Sequence, residues 1–243
     1  MAIYLRASEG EYAERVLVAG DPGRITRLAG MLDGAVQITD NRGLVGFTGA
    51  HRGVSVSVQS SGMGCPSMAM VGEELLDYGV KKIIRIGTCS AFGKGVSNGD
   101  LIIVTGAAAG DGTTRSMADG SPYAATPDFR LTARLVASAE RRQVKHHLGP
   151  VVTVDVEPHL NAGSTSRWRA QGLLAVEMES AALFHLALRA LDRGIGPVEA
   201  ACILAVSDGL DGHPDGRQSY MSDDALREVT DAMHQVALDA LVE

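Results

Sequence analysis

Three arginines in this sequence each lie beside a glycine turn, an arrangement that suits an oxyanion. Arg24 follows "VLVAGDPG", where a predicted strand ends at Gly20 and the chain turns into a helix. Arg42 lies in "NRG", and Arg85 interrupts the apolar run "IIRIGTCSA" shortly before Thr88. Helix N-termini and guanidinium groups both bind phosphate oxygens. The three arginines, with Gly20 and Thr88, therefore predict a site for a free phosphate.

Arg85 is the strongest of the three signals, because it interrupts a strand that is predicted to be buried. An arginine inside an apolar strand needs an anion beside it, whereas Arg24 or Arg42 alone is typical of a surface arginine. Two other glycine-rich runs, "SGMGCPSMA" and "GTCSAFGKG", are weak nucleotide-binding signals. The first lacks the third glycine of a dinucleotide-binding fingerprint, and the second lacks the spacing of a P-loop.

Two glutamates, Glu177 and Glu179, lie inside the apolar run "LAVEMESAALF", where a carboxylate is costly to bury unless it is paired. The preceding residues are strand-like and the following ones helical, so both acids are predicted at the carboxyl end of a strand. Carboxylates there can accept the hydroxyls of a cis-diol. A divalent metal would usually need a further ligand, which the local sequence does not supply. The alternative is a solvated turn acid followed by an acid at a helix N-terminus, and it is more credible for Glu179.

A third acid, Asp208, ends the apolar run "ILAVSDG". A carboxyl group that leaves a buried strand is partly desolvated, which raises its pKa. A group of that kind can act as a proton donor. An Asp turn or a helix cap is an equally open alternative for this residue.

These residues need a framework of alternating strands and helices. Short apolar runs predict strands at 15–19, 54–59, 82–87, 100–105, 151–156, 173–177 and 200–206. Amphipathic patterns predict helices at 66–78, 128–143, 179–191 and 222–242, while residues 106–127 predict a long loop. Such alternation predicts a single α/β domain over 1–243, with a mainly parallel sheet flanked by helices on both sides. In such folds ligands collect at the carboxyl ends of the strands.

The composition excludes several classes of function. The chain has 243 residues, 45% of them hydrophobic and 21% charged, and a net charge of −7 that argues against non-specific nucleic-acid binding. Neither a signal peptide nor a membrane-length apolar run is present, so we expect no membrane partner and a cytoplasmic location. The cysteines Cys65, Cys89 and Cys202 predict reduced thiols. The histidines show no zinc-binding motif, so no metal site is predicted.

Six motifs occur in order along the chain: "VLVAGDPGR", "NRGLVGFTG", "SSGMGCPS", "RIGTCSA", "AVEMESAAL" and "VSDG". Together they resemble the nucleoside phosphorylase superfamily, in particular its hexameric purine nucleoside phosphorylase and 5′-methylthioadenosine phosphorylase branch. The resemblance implies a mixed, mainly parallel central sheet. It also implies phosphate-dependent cleavage of the N-glycosidic bond of purine (deoxy)ribonucleosides to free base and (deoxy)ribose 1-phosphate. Inorganic phosphate is then the co-substrate, with no metal or organic cofactor.

The resemblance also assigns roles to residues. Phosphate would be bound by Gly20, Arg24, Arg85 and Thr88, with Arg42 reaching in from a neighbouring subunit. The ribose would contact Tyr4, Met63, Met178 and Glu179, with Glu177 beside them. Asp208 would protonate or hydrogen-bond N7 of the leaving purine, with Ser207 nearby. The family implies a homo-oligomer, a hexamer built as a trimer of dimers, with active sites shared across each dimer.

Three positions depart from the family pattern and bear on substrate choice. Tyr4 stands where the family places a histidine that reaches the ribose 5′ position of the next subunit. Glu157 stands where an aromatic residue stacks on the base. Arg217 is a candidate for the arginine that assists Asp208, although the loop around it is short and rich in glycine.

Several alternatives use the same scaffold. A Gln/Arg pair typical of uridine phosphorylases does not follow "VVTVDVEP", which favours purines over uridine; a 5′-methylthioadenosine phosphorylase stays open. A nucleosidase would use water in place of phosphate, and the oxyanion-binding residues argue against it. A nucleoside sensor without turnover is the alternative from another functional class.

Overall fold

The computed structural model describes residues 2–156, 164–209 and 219–243. Its strands are β1 (Arg15–Ala19), β2 (Asp33–Thr39), β3 (Gly46–His51), β4 (Val54–Ser60), β5 (Lys82–Ala91), β6 (Leu101–Ala109), β7 (His146–Thr153), β8 (Ala175–Glu177), β9 (Glu199–Gly209) and β10 (Ser219–Tyr220). Its α-helices are α1 (Pro22–Ala29), α2 (Cys65–Asp77), α3 (Gly112–Met117), α4 (Phe129–Arg141), α5 (Ser164–Ala170), α6 (Ser180–Arg189) and α7 (Asp223–Val242). A 3-10 turn spans Asn41–Gly43.

The helices begin at residues whose side chains satisfy free backbone N–H groups. Asp21 caps α1 by accepting from the backbone N–H of Gly23 at 2.8 Å. Asp128 caps α4 through an equivalent bond from Leu131, as the sequence predicted. Such caps stabilise a helix end by about 1 kcal/mol, so local sequence defines these starts.

The strands form a mixed sheet in the order β10-β9-β6-β7-β8-β5-β1-β4-β3-β2, and β5 also pairs with β9. The additional pairing closes β5, β9, β6, β7 and β8 into a ring, from which β1, β4, β3 and β2 extend. The longest ladders, β5–β9 and β6–β7, are parallel, while β5–β8 and β6–β9 are antiparallel. The predicted α/β class with a mixed sheet is confirmed.

Helices cover both faces of the sheet. One core lies between the sheet and α2 and α6, with Leu75 and Phe184 among its buried residues. The other lies between the sheet and α1, α4 and α7, with Ile25, Leu135 and Met233 in its centre. Across the described ranges, none of the helices combines the length and apolar character that crossing a membrane requires.

The structure corrects two parts of the prediction. Residues 106–127 are not one long loop, because β6 continues to Ala109 and α3 follows. The strand predicted at 151–156 instead runs from His146 to Thr153. Its polar start is stabilised by the parallel ladder with β6 and by His147 Nε2, which lies 2.8 Å from Asp100 Oδ2.

The sequence did not predict the edge hairpin β2–β3. Most of β2 is exposed and β3 is only partly buried, so neither strand shows a clear hydrophobic pattern. Both form because each pairs with a neighbour, β3 with β4 and β2 with β3. At the opposite side of β4, the parallel strands β1, β5 and β9 end at one edge, where the predicted site residues lie.

Candidate active site

A cavity of about 300 Å³ opens where β1, β5, β8 and β9 end. It brings together ten of the predicted residues: Gly20, Arg24, Met63, Arg85, Thr88, Glu177, Met178, Glu179, Ser207 and Asp208. Seven lining residues were not predicted: Asp21, Gly87, Cys89, Ser90, Val154, Val176 and Tyr220. Basic residues lie toward β1 and β5, and Asp208 lies on β9.

Arg85 and the two glutamates form a buried ion-paired cluster. Arg85 Nε donates to Glu177 Oε2 at 3.1 Å, and Arg85 Nη2 donates to Glu179 Oε2. The three residues are between 3% and 5% exposed. Burial disfavours the charged guanidinium, but Glu179 and Glu177 outweigh it and raise the pKa of Arg85 above its ordinary value. The anion that a buried arginine requires is therefore supplied by the protein itself.

Glu177 is the last residue of β8, and both oxygens of its carboxylate accept hydrogen bonds. The backbone N–H groups of Glu179 and Ser180 donate to it at 2.9 Å each, and the Thr153 hydroxyl donates to Oε1. These bonds hold the start of α6 against β7 and β8. Because its oxygens are occupied by these donors and by Arg85, Glu177 supports the cavity wall.

Glu179 lies between two elements of the site. Its Oε1 accepts from the backbone N–H of Gly64 at 2.6 Å, at the N-terminus of α2, and its Oε2 accepts from Arg85. The glutamate therefore links the turn after β4, the middle of β5 and the start of α6. Met178, its neighbour, accepts a bond from Cys65 Sγ through its carbonyl and also lines the cavity.

Arg24 differs from Arg85 in having no carboxylate contact among the hydrogen bonds and ion pairs of the described residues. It lies in the first turn of α1, where Nη1 donates to the carbonyl of Ile86 at 3.4 Å. Burial lowers the pKa of Arg24 to about 10, with Arg85 adding to the effect and Asp21 opposing it. Arg24 stays protonated at neutral pH and brings a positive charge to the cavity.

Asp208 is 1% exposed and lies on β9 beside Ser207. Its Oδ1 accepts from the Ser207 hydroxyl at 2.8 Å, while Oδ2 has no hydrogen-bond partner within the described part of the chain. Burial raises the pKa of Asp208 above its ordinary value of 3.8, and the hydroxyls of Ser207 and Ser90 only partly offset this. A carboxyl group in this setting retains its proton more readily than a solvated one.

Tyr4 and Arg42 do not line this cavity. They lie together elsewhere, with the guanidinium carbon of Arg42 5.8 Å from the centre of the Tyr4 ring. Asn41 Nδ2 donates to the Tyr4 carbonyl at 2.7 Å, and the Glu74 carboxylate accepts from the backbone N–H groups of residues 3–5. These contacts therefore fix the N-terminal segment and the turn at residues 41–43 to each other and to α2 at the surface.

Two predicted site residues, Glu157 and Arg217, lie outside the described residues. Of the residues missed, Tyr220 lies on β10 opposite Asp208, and no local sequence signal marks that pairing. Ser90 could have been found from the sequence, because it follows Thr88 in the same strand with the same orientation. The i, i+2 spacing puts both side chains on one face of β5.

One group of possible metal ligands occurs among the described residues, formed by Cys65, Asp111 and Asp155. Asp111 caps α3 by accepting from Thr114, and Asp155 accepts from the backbone N–H of Gly112 at 2.7 Å. Both carboxylates are thereby used in holding the start of α3.

Comparisons with known proteins agree with this geometry. The profile of the phosphorylase superfamily matches residues 14–243. The chain is 38% identical over 212 residues to a purine nucleoside phosphorylase DeoD-type of Alkaliphilus metalliredigens (strain QYMF), covering 86% of this chain and 88% of that protein.

Two further relatives extend the comparison. A purine nucleoside phosphorylase DeoD-type of Exiguobacterium sp. (strain ATCC BAA-1283 / AT1b) is 34% identical over 100% of this chain and 99% of its own. A guanosine phosphorylase of Halorubrum lacusprofundi (strain ATCC 49239 / DSM 5036 / JCM 8891 / ACAM 34) is 35% identical over 76% of this chain and 77% of its own. With its sheet, its cavity and these matches, the chain belongs to the phosphorylase superfamily.

Proposed function

We propose that this chain is a purine nucleoside phosphorylase, which cleaves purine (deoxy)ribonucleosides with inorganic phosphate. The observation that carries the proposal is Asp208, which lines a cavity together with Arg24 and Arg85 and whose buried Oδ2 has no hydrogen-bond partner among the described residues. The cavity thus combines a proton donor for a leaving base with cations for a phosphate. The names of the relatives support the purine class.

The phosphate would bind between the N-terminus of α1 and β5. Arg24 makes no carboxylate contact among the described residues, so its charge is open to an anion, and Gly20 lines the cavity beside it. Arg85 directs Nε and Nη2 toward the glutamates, but a guanidinium group carries further N–H donors. Thr88 adds a hydroxyl, so several donors converge on an oxyanion.

The ribose would lie against Glu179 and Met178. Each carboxylate oxygen can accept more than one hydrogen bond, so Glu179 can hold a ribose hydroxyl while it stays bonded to Gly64 and Arg85. Met178 and Met63 offer apolar surface to the sugar ring. The pairing with Arg85 holds the carboxylate in a single orientation, from which it can stabilise positive charge as that charge develops on the sugar.

The reaction exchanges one bond for another at C1′ of the sugar. A phosphate oxygen forms a bond to C1′ as the bond from C1′ to the purine nitrogen breaks, and its electron pair passes to the purine. Asp208 donates its proton to N7 and neutralises the leaving base. Because burial raises its pKa, the acid is suited to this proton transfer. Phosphate is the co-substrate, and we propose no metal or organic cofactor.

A second copy of the chain would complete the site. Tyr4 and Arg42 are held together at the surface and away from the cavity of their own subunit, which suits side chains that serve a neighbour. We adopt a homohexamer arranged as a trimer of dimers, by analogy with the family.

The free thiols of Cys65, Cys89 and Cys202 accord with a reducing cytoplasm.

The test is an assay of base release from inosine, guanosine, adenosine, 5′-methylthioadenosine and uridine, each with and without phosphate. We expect release of purines only with phosphate, together with an equal amount of a ribose 1-phosphate. Release without phosphate would indicate a nucleosidase. Release from uridine alone would overturn the purine assignment, and nucleoside binding without release would indicate a sensor.

A further inference from the structure

Tyr220 lies directly across from the proposed proton donor. In the antiparallel β9–β10 ladder, Tyr220 pairs with Asp208. Residues directly opposite in such a ladder project to the same face of the sheet, with their Cβ atoms about 5 Å apart. Both residues line the cavity. The phenol ring is therefore placed beside the point at which a base would receive its proton.

Tyr220 is also the only aromatic residue among the described residues that line the cavity. Its side chain is 64% exposed, in contrast to Asp208, which is 1% exposed. An aromatic ring at a cavity wall gains most when a flat, apolar partner covers it. Val154 and Val176 add further apolar surface to the same cavity. This part of the cavity suits a planar heterocycle better than it suits a sugar or an anion.

We propose that Tyr220 is the residue on whose ring the purine base stacks, and that it thereby sets the affinity of the site for the base. The inference rests on the proposed function, because a base must enter the cavity. It assigns the binding role to the face of the ring and not to the hydroxyl. Phosphate binding, which depends on residues of α1 and β5, is independent of it.

Three variants separate the ring from the hydroxyl: Tyr220→Phe, Tyr220→Leu and Tyr220→Ala. Stacking contributes enough that its removal by Tyr220→Ala should raise the KM for inosine roughly tenfold. Tyr220→Phe should retain the wild-type KM, and Tyr220→Leu should fall between them. The KM for phosphate should stay unchanged in all three. Phe129→Ala is the matched control, since Phe129 is 84% exposed and does not line the cavity.

Three outcomes would overturn the proposal. Equal defects in Tyr220→Phe and Tyr220→Ala would assign the role to the hydroxyl. A parallel rise in the KM for phosphate would indicate a structural effect. A wild-type KM for inosine in Tyr220→Ala would show that the ring does not contact the base.

Direct binding of a free purine base separates this inference from the proposed function. The dissociation constant of hypoxanthine, measured by calorimetry, should rise roughly tenfold in Tyr220→Ala and stay unchanged in Tyr220→Phe. If the wild-type protein shows no phosphorolysis but this binding pattern holds, the proposed function fails and the stacking role stands. If phosphorolysis holds but hypoxanthine binds equally to wild type and Tyr220→Ala, only the stacking role fails.

Discussion

The two sides of the cavity use buried charge in opposite ways. On the β5 and β8 side, Arg85, Glu177 and Glu179 satisfy one another. On the β9 side, Asp208 is just as deeply buried, but its Oδ2 has no hydrogen-bond partner within the described ranges. Burial of each group costs solvation energy, and among the described residues the ion pairs that offset this cost lie on the first side.

This difference between the two sides of the cavity separates residues that position a ligand from a residue that can exchange a proton. The carboxylates of the ion-paired cluster are held in one orientation by their hydrogen bonds, so they can orient a ligand. A buried carboxyl group that has no cation beside it has a raised pKa and can transfer its proton. We therefore assign the ion-paired cluster to positioning and Asp208 to proton transfer, and four experiments test this contrast.

Replacing Arg85 should have the largest effect. Arg85→Ala leaves two buried carboxylates without their cation, and breaking a buried pair in this way costs about 3–5 kcal/mol of unfolding free energy. Urea denaturation followed by circular dichroism measures the loss. Arg193→Ala is the matched control, because its ion pairs with Glu73 and Asp77 are partly exposed and should contribute about 1 kcal/mol or less. Equal losses in the two variants would contradict the structural importance of the cluster.

Asp208→Asn should remove activity while leaving the fold intact. The amide keeps the shape of the side chain but cannot donate a proton of comparable acidity, so kcat/KM for inosine should fall by about 10²–10⁴-fold. The melting temperature at neutral pH should not fall. Asp77→Asn, at an exposed carboxylate on α2, serves as the control for general effects of the substitution. A variant that keeps wild-type turnover would remove Asp208 from the reaction.

Arg24→Met should weaken phosphate binding strongly and should lower the stability of the fold only slightly. Arg24 makes a hydrogen bond to the Ile86 carbonyl and no carboxylate contact among the described residues. Loss of a charge-assisted hydrogen bond to phosphate should raise the KM for phosphate about 10- to 100-fold. The KM for inosine and the urea midpoint should change little. Arg27→Met on the same helix, whose partner is Asp231, should leave both KM values unchanged.

The smallest effect is the pH dependence of stability that Asp208 contributes. Its folded pKa is raised above 3.8, so the folded state binds more protons than the unfolded state between the two values. The contribution of Asp208 to stability therefore falls as the pH rises from the unfolded pKa to the folded pKa, and it is constant above the folded pKa. Asp208→Asn should be more stable than the wild type at neutral pH and equal to it at acidic pH. Thermal unfolding across a pH series checks this, and a difference of opposite sign would contradict a raised pKa.

Local sequence predicted the framework well wherever a strand or helix carries its own pattern. The strand at 15–19 was predicted to the residue, and Asp128 was correctly identified as the cap of α4. Predictions failed where pairing with a distant strand outweighs local composition, as in the exposed β2 and in the polar start of β7. Strand formation there depends on neighbours whose identity a local pattern does not contain.

The candidate site shows the same division. The sequence marked Arg85, Glu177, Glu179 and Asp208 as charged residues in apolar runs, because burial of such groups always requires an explanation. Their proposed roles toward phosphate, ribose and base stay predictions. The sequence alone left open which anion faces Arg85, and a bound phosphate was the expected answer. In the structure its partners are Glu177 at the end of β8 and Glu179 at the N-cap of α6.

The amino-acid sequence by itself determined which residues could do chemistry, the α/β class, and the family through its ordered motifs. Only the tertiary structure decided which charges neutralise one another. Arg85 and Glu177 are 92 positions apart and meet because β5 pairs with β8. Tyr220 meets Asp208 through β10 in the same way. Electrostatic and stacking energies depend on distances of a few ångströms in space, and strand pairing sets those distances.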